Sequence, residues 1–94
     1  MTAYVIARIT VTAPEDYQSY ASQTVALAEK AGGRFLVKGG LQTQIEGNSP
    51  ERQDLIEYPD HDTALKWYNT PEYQRILPIA TSSSERDIVI VDGI

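Results

Sequence analysis

Tyr4-Val5-Ile6-Ala7 near one end of the chain and Ile88-Val89-Ile90-Val91 near the other are apolar at consecutive positions. Side chains alternate sides along a β-strand, so two such strands are greasy on both faces of whatever sheet they join. A chain of 94 residues has little material with which to cover both faces. In this reading Ile6 and Ile90 point opposite to Val5 and Val91. Leaving several such side chains wet forgoes about 1.5–3 kcal/mol each, against a total stability of about 5–15 kcal/mol. A second copy packed sheet to sheet is the simplest cover, and two-fold dimers are the commonest symmetric assembly.

Working outward, residues 3–12 read as the first strand, with Val5, Ala7, Ile9 and Val11 on one face and Tyr4, Ile6, Arg8 and Thr10 on the other. Pro14-Glu15-Asp16 then opens a helix, with proline in the first turn and acids where the helix dipole favours negative charge. Tyr17, Tyr20, Ala21, Thr24, Leu27, Ala28 and Ala31 recur at three- and four-residue steps, the stripe of a helix lying on a sheet. Gly32-Gly33 closes it. A second strand, Arg34-Phe35-Leu36-Val37-Lys38, is expected to bend or bulge at Gly39-Gly40 and to resume over Leu41-Gln42-Thr43-Gln44-Ile45-Glu46, where apolar and polar residues alternate.

After the turn cluster Gly47-Asn48-Ser49-Pro50, residues 53–58 form a third strand, halted by Pro59. Asp60 caps a helix of about residues 61–69, and Thr70-Pro71-Glu72 starts another, which Pro78 should kink or shorten. Thr81-Ser82-Ser83-Ser84 reads as a polar linker, and residues 87–91 as the last strand. The order β-α-β-β-α-β is the ferredoxin-like arrangement, an α+β fold in which an antiparallel sheet carries its helices on one face. All 94 residues are expected to form one domain.

Composition narrows the function. Hydrophobic residues at 41% and charged residues at 22% suit a globular chain. The absence of cysteine removes disulfides, thiolate metal sites and cysteine nucleophiles. A net charge of −5 without a Lys/Arg cluster argues against nucleic acid and anionic membranes as partners. No apolar run approaches the roughly 20 residues that span a bilayer, and a cytoplasmic protein is expected. His61, the single histidine, excludes a multi-histidine metal site within one chain, so neither metal nor cofactor is expected. As a first-turn helix residue it reads as solvated.

Several residues are candidates for a site. Tyr17, Tyr20, Trp67, Tyr68 and Tyr73 concentrate aromatic surface with polar tips on the helices. They serve equally as helix-on-sheet core or as the wall of a small-molecule cleft. Arg34 can pair with a carboxylate such as Glu57 or present its fork to an anionic substrate. Gly39, with Gly40, permits either a strand bend or close approach of a ligand to the backbone. Arg8, Lys38 and Glu57 are charged residues in strand interiors and mark either interface pairing or a working site. No nucleotide-binding glycine loop or nucleophile elbow is present.

The segments Ala3-Tyr4-Val5-Ile6, Pro14-Glu15-Asp16-Tyr17, Gly32-Gly33-Arg34-Phe35-Leu36-Val37-Lys38-Gly39-Gly40, Ile56-Glu57-Tyr58-Pro59, Trp67-Tyr68-Asn69-Thr70-Pro71-Glu72-Tyr73-Gln74 and Ile90-Val91-Asp92-Gly93 resemble the DUF1330 family of the dimeric α/β-barrel superfamily. The resemblance spans nearly the whole chain. It implies a ferredoxin-like homodimer of unassigned function, related in fold to cofactor-free monooxygenases, muconolactone isomerases and haem-binding proteins, and fold kinship transfers no reaction. It also implies arginines flanking a Pro-Leu step in the second helical region. Here Leu77 precedes Pro78 and Ala80 follows Ile79, leaving Arg75 or Arg86 to take their place.

Three functions fit these residues: a cofactor-independent enzyme on a small organic substrate, a small-ligand binding or sensing module, and a purely structural dimer.

Overall fold

The computed structural model describes residues 1–94. Alternating burial along Ala3–Val11 makes it the first strand, β1, and Pro14–Lys30 is α1. Then come β2 (Arg34–Lys38), β3 (Arg52–Tyr58), α2 (His61–Tyr68), α3 (Pro71–Ser83) and β4 (Ser84–Asp92). The sheet order is β2-β3-β1-β4 with every neighbouring pair antiparallel. This is an α+β ferredoxin-like fold.

The helices cover the face carrying Val5, Ala7, Ile9, Ile56 and Tyr58, all buried. Against these pack Tyr17, Tyr20, Ala21 and Ala28 of α1, Ala64 and Trp67 of α2, and Tyr73, Ile76 and Ala80 of α3. Local chemistry sets the helix starts. The Asp60 carboxylate accepts from the Thr63 N–H at 2.7 Å, and the Thr70 hydroxyl oxygen accepts from the Tyr73 N–H at 3.2 Å. Ala13, before α1, offers no such side chain. Instead the Ser83 carbonyl accepts the N–H groups of Thr12 and Ala13 at 2.9 and 3.0 Å.

The uncovered face carries Tyr4, Ile6, Leu55, Val89 and Val91, with the last two 54% and 45% exposed. One side-chain direction differs from the sequence reading. Ile90 pairs with Val5 and faces the helices, whereas Val91 pairs with Tyr4 and faces out. Antiparallel register, which no single strand reveals, fixes which parity of β4 joins which face.

Three further expectations are corrected. Leu41-Gln42-Thr43-Gln44-Ile45-Glu46 is not a strand: Leu41 and Ile45 are 100% and 82% exposed and the segment pairs with nothing. β2 is an edge strand and its neighbour β3 begins at Arg52, so the segment has no ladder to extend, while positive φ at Gly39 and Gly40 turns the chain away. The bulge itself falls earlier, between Phe35 and Val37. Of the kink or shortening expected at Pro78, the shortening does not occur, since α3 runs from Pro71 to Ser83; burial of Tyr73, Ile76 and Ala80 on one stripe outweighs the lost backbone donor.

The serines are no linker either. Ser83 and Ser84 are buried, their hydroxyls donate to the Ile79 and Ala80 carbonyls, and Ser84 already pairs with Val11. β4 therefore starts earlier than expected, and Arg86 becomes a strand residue.

Candidate functional site

Arg52, Ile9 and Arg86 form one row across the sheet, since Ile9 pairs with Arg52 on one side and Arg86 on the other. Ile9 is buried beneath the helices, so both guanidinium groups share the covered face. Each lies over a ring from α1: the Arg86 guanidinium carbon is 5.0 Å from the Tyr20 centroid, and that of Arg52 is 5.8 Å from the Tyr17 centroid. Both distances suit cation–π attraction.

Arg86 then reaches between two helices. It donates to the Tyr20 hydroxyl at 2.9 Å and to the Tyr73 hydroxyl at 3.2 Å, while the two phenol oxygens lie 2.6 Å apart. A guanidinium fork facing two bonded oxygens has the form of an arginine–carboxylate pair, but the oxygens here belong to neutral phenols. Burial pushes the Tyr20 phenol well above its ordinary range, with Tyr73 adding and Arg86 opposing. For Arg86, burial works against the charge, yet its contacts with Tyr20 and Tyr73 outweigh that and raise it above its usual value. The guanidinium is charged and no carboxylate pairs with it. Arg52, by contrast, is 3.2 Å from the Asp54 carboxylate, which also accepts the Gly39 N–H at 2.9 Å.

A cavity of about 20 Å³ lies between sheet and helices, lined by Tyr17, Tyr20, Trp67, Tyr73, Arg52, Asp54 and Arg86 among mostly apolar side chains. That is room for about one water molecule. The indole Nε1 of Trp67, a residue only 3% exposed, has no hydrogen-bond partner. Arg86 also lines a second, open groove of about 390 Å³ with Tyr68, Leu77, Thr81, Ser84 and Ile88. Arg86 and Ile88 line both spaces.

The structure gathers Tyr17, Tyr20, Trp67 and Tyr73 around the inner cavity. Tyr68 packs on Tyr73 and Trp67, with centroids 5.3 and 6.1 Å apart, but faces the groove. Gly39 stays outside, and its N–H is shared between the Asp54 carboxylate and the Gln53 carbonyl, both at 2.9 Å. Arg34 lies elsewhere, ion-paired with Glu57 at 3.1 Å on the uncovered face, its side chain 72% exposed. Of the two arginines considered as replacements near Pro78, Arg86 reaches the cavity and Arg75 lies on the outer helix surface beside Glu72. His61 pairs with Asp92 at 2.9 Å, outside the cavity.

Arg52 and Asp54 escaped the sequence reading, although their alternation with Ile56 and Tyr58 signals the covered face. No group of three or more potential metal ligands converges anywhere. None of the helices is long and apolar enough to cross a membrane.

An antiparallel sheet roofed by helices, with a polar cluster where they meet, defines a ferredoxin-like protein with a small interior cavity. The chain belongs to the DUF1330 family, described as a domain of unknown function, whose model matches residues 2–94. A search of curated proteins finds no match. Among solved structures, the chain is similar to the RPA0582 protein of unknown function from Rhodopseudomonas palustris, with a TM-score of 0.81 at 12% identity, covering 99% of this chain and 82% of that one. It is similar to SnoaB, a cofactor-independent oxygenase from Streptomyces nogalater, with a TM-score of 0.73 at 19% identity, covering 99% and 93%. A dimeric protein of unknown function and ferredoxin-like fold from Bacteroides fragilis gives a TM-score of 0.58 at 13% identity, covering 98% and 96%. At these identities the likeness is one of fold.

Proposed function

We propose that the protein works as a homodimer in which each protomer holds a small organic molecule where helices meet sheet, around Arg86. The observation that carries this reading is the Tyr20–Tyr73–Arg86 cluster, a partly buried cation with phenols for partners and no acid. Withdrawing a charge from water without a counter-charge costs free energy in proportion to its burial, and Arg86 is partly buried. A purely structural core would be served better by an apolar side chain at position 86. Polar groups perturbed by burial and a charged neighbour inside a cleft single out a candidate working site. The homodimer is supported by the apolar uncovered face with its exposed Val89 and Val91, and by the dimeric Bacteroides fragilis neighbour.

A second reading, catalysis without a cofactor, is favoured by the fold likeness to SnoaB, a cofactor-independent oxygenase. It is also favoured by the donor set, because a guanidinium and a phenol aimed at a developing oxyanion are what such chemistry requires. The test is a screen of small organic compounds against the full-length chain, read by melting temperature and by mass spectrometry of the compounds. Binding shows as a raised melting temperature, and turnover as a changed mass. A broad library in which nothing shifts the melting temperature would remove the cleft reading and leave a structural dimer.

A further inference from the structure

We propose that the ligand is a small organic monoanion, a carboxylate on an apolar body, anchored by Arg86 at the junction of the inner cavity and the outer groove. This rests on the small-molecule reading above and names its ligand class. Three observations converge on it.

The first is charge. The cavity lining contains two arginines and one aspartate, a local balance of one positive charge in a chain whose net charge is −5. Asp54 is already engaged by Arg52 and the Gly39 N–H, so Arg86 is the charge left uncompensated. One guanidinium, with no lysine in the lining of either space, matches one negative charge better than the two of a phosphate monoester.

The second is the hydrogen-bond balance. Tyr20 and Tyr73 have one hydroxyl proton each, and their mutual bond uses only one of the two. Both phenol oxygens accept from Arg86, so the other hydroxyl proton is still free to be donated. Arg86 retains further N–H groups on its fork. The one acid in the cavity lining, Asp54, is already engaged by Arg52 and the Gly39 N–H, so around Arg86 the uncommitted groups are donors. A carboxylate, which accepts at both oxygens and donates at neither, complements them.

The third is shape. The inner cavity admits about one water, so an organic body must lie on the groove side of Arg86, where Tyr68, Leu77 and Ile88 supply an apolar wall and Thr81 a hydroxyl. The groove is open and lined by six residues, so it receives an organic body along one side while Arg86 holds the charged end.

The chain supplies its own reporter, since Trp67 is the single tryptophan and lines the cavity. Full-length protein is titrated with benzoate and 3-phenylpropionate, with their amides, and with benzylamine, while indole fluorescence is followed. The expected result is a saturable change with the acids, with the amides weaker by about tenfold or more. Arg86→Gln is expected to weaken the acids to the level of the amides, and Arg86→Lys, retaining the charge without the fork, to fall between. Equal binding of acids and amides would overturn the carboxylate assignment and leave the cleft reading standing. So would competition by chloride as effective as that by benzoate, which would mark an adventitious anion site only. No response to acids, amides or benzylamine would overturn both. If Arg86→Gln fails to fold by circular dichroism, the acid–amide comparison on the unaltered chain decides with Arg86→Lys.

Discussion

The two faces of the sheet are unfinished in opposite ways. The covered face is closed by its own helices around Val5, Ile9, Ile56 and Tyr58, each no more than 4% exposed, yet it contains a cation without an acid. The open face pairs Arg34 with Glu57 at 3.1 Å, yet leaves Val89 and Val91 about half exposed. One face lacks a counter-charge and the other lacks a cover. The first need suits a small ligand, which can bring a charge into a confined space; the second suits a second copy, which can bring area.

The largest effect that separates the faces should come from Trp67→Ala. Its ring lies 4.5 Å from that of Tyr73 and 5.7 Å from that of Tyr58, centroid to centroid. The variant should lose about 3–5 kcal/mol in urea denaturation. A near-native stability with lost ligand binding would show instead that the ring serves the cleft more than the core. Val89→Glu is the converse, leaving the protomer folded by circular dichroism while weakening the proposed dimer by about 3 kcal/mol or more, because it buries an unpaired charge. Sedimentation at micromolar concentration reads the outcome. A wild-type chain that sediments as a monomer would break the comparison altogether.

Gly33→Ala probes how closely the covered face is packed. A Cβ there would sit 2.5–2.8 Å from the Tyr58 ring and hydroxyl, which are fully buried, so a loss of about 1–3 kcal/mol is expected in the same denaturation assay. Tyr20→Phe should cost least at neutral pH, about 1 kcal/mol for its buried hydrogen bonds. Its signature lies in alkali. Burial holds the Tyr20 and Tyr58 phenols above their ordinary range, whereas unfolded phenols ionise near pH ~10. Above that pH the folded chain binds more protons than the unfolded one, so stability falls as pH rises. Tyr20→Phe should make that decline shallower, as measured by denaturation between neutral and strongly alkaline pH.

Much of the fold was legible because it rests on local pattern. The apolar alternation of residues 3–11, the helical stripe from Tyr17 to Ala28, the Gly32-Gly33 stop and the caps at Asp60 and Thr70 each announce an element within a few residues. The readings at residues 41–46 and 81–84 missed for a shared reason. Alternation over Leu41-Ile45 has strand periodicity but no neighbour, and Ser83 and Ser84 look like a loop but are buried, with Ser83 bonded to the distant Thr12 and Ala13. Of the site, the aromatic residues stood out as a group. Arg86 drew notice only as a possible substitute, because its position in β4 follows from the early strand start.

The amino-acid sequence determined the order of elements, the amphipathic face of each helix, the closing glycines and the apolar surplus of the outer strands, since propensity, capping and periodicity act over a few residues. Only the tertiary structure decided that Ile90 turns inward and Val91 outward, that Arg86 meets Tyr20 and Tyr73 across separations of 66 and 13 residues, and that Arg34 stays away. Strand register and helix docking set those relations, and both depend on every element packing at once.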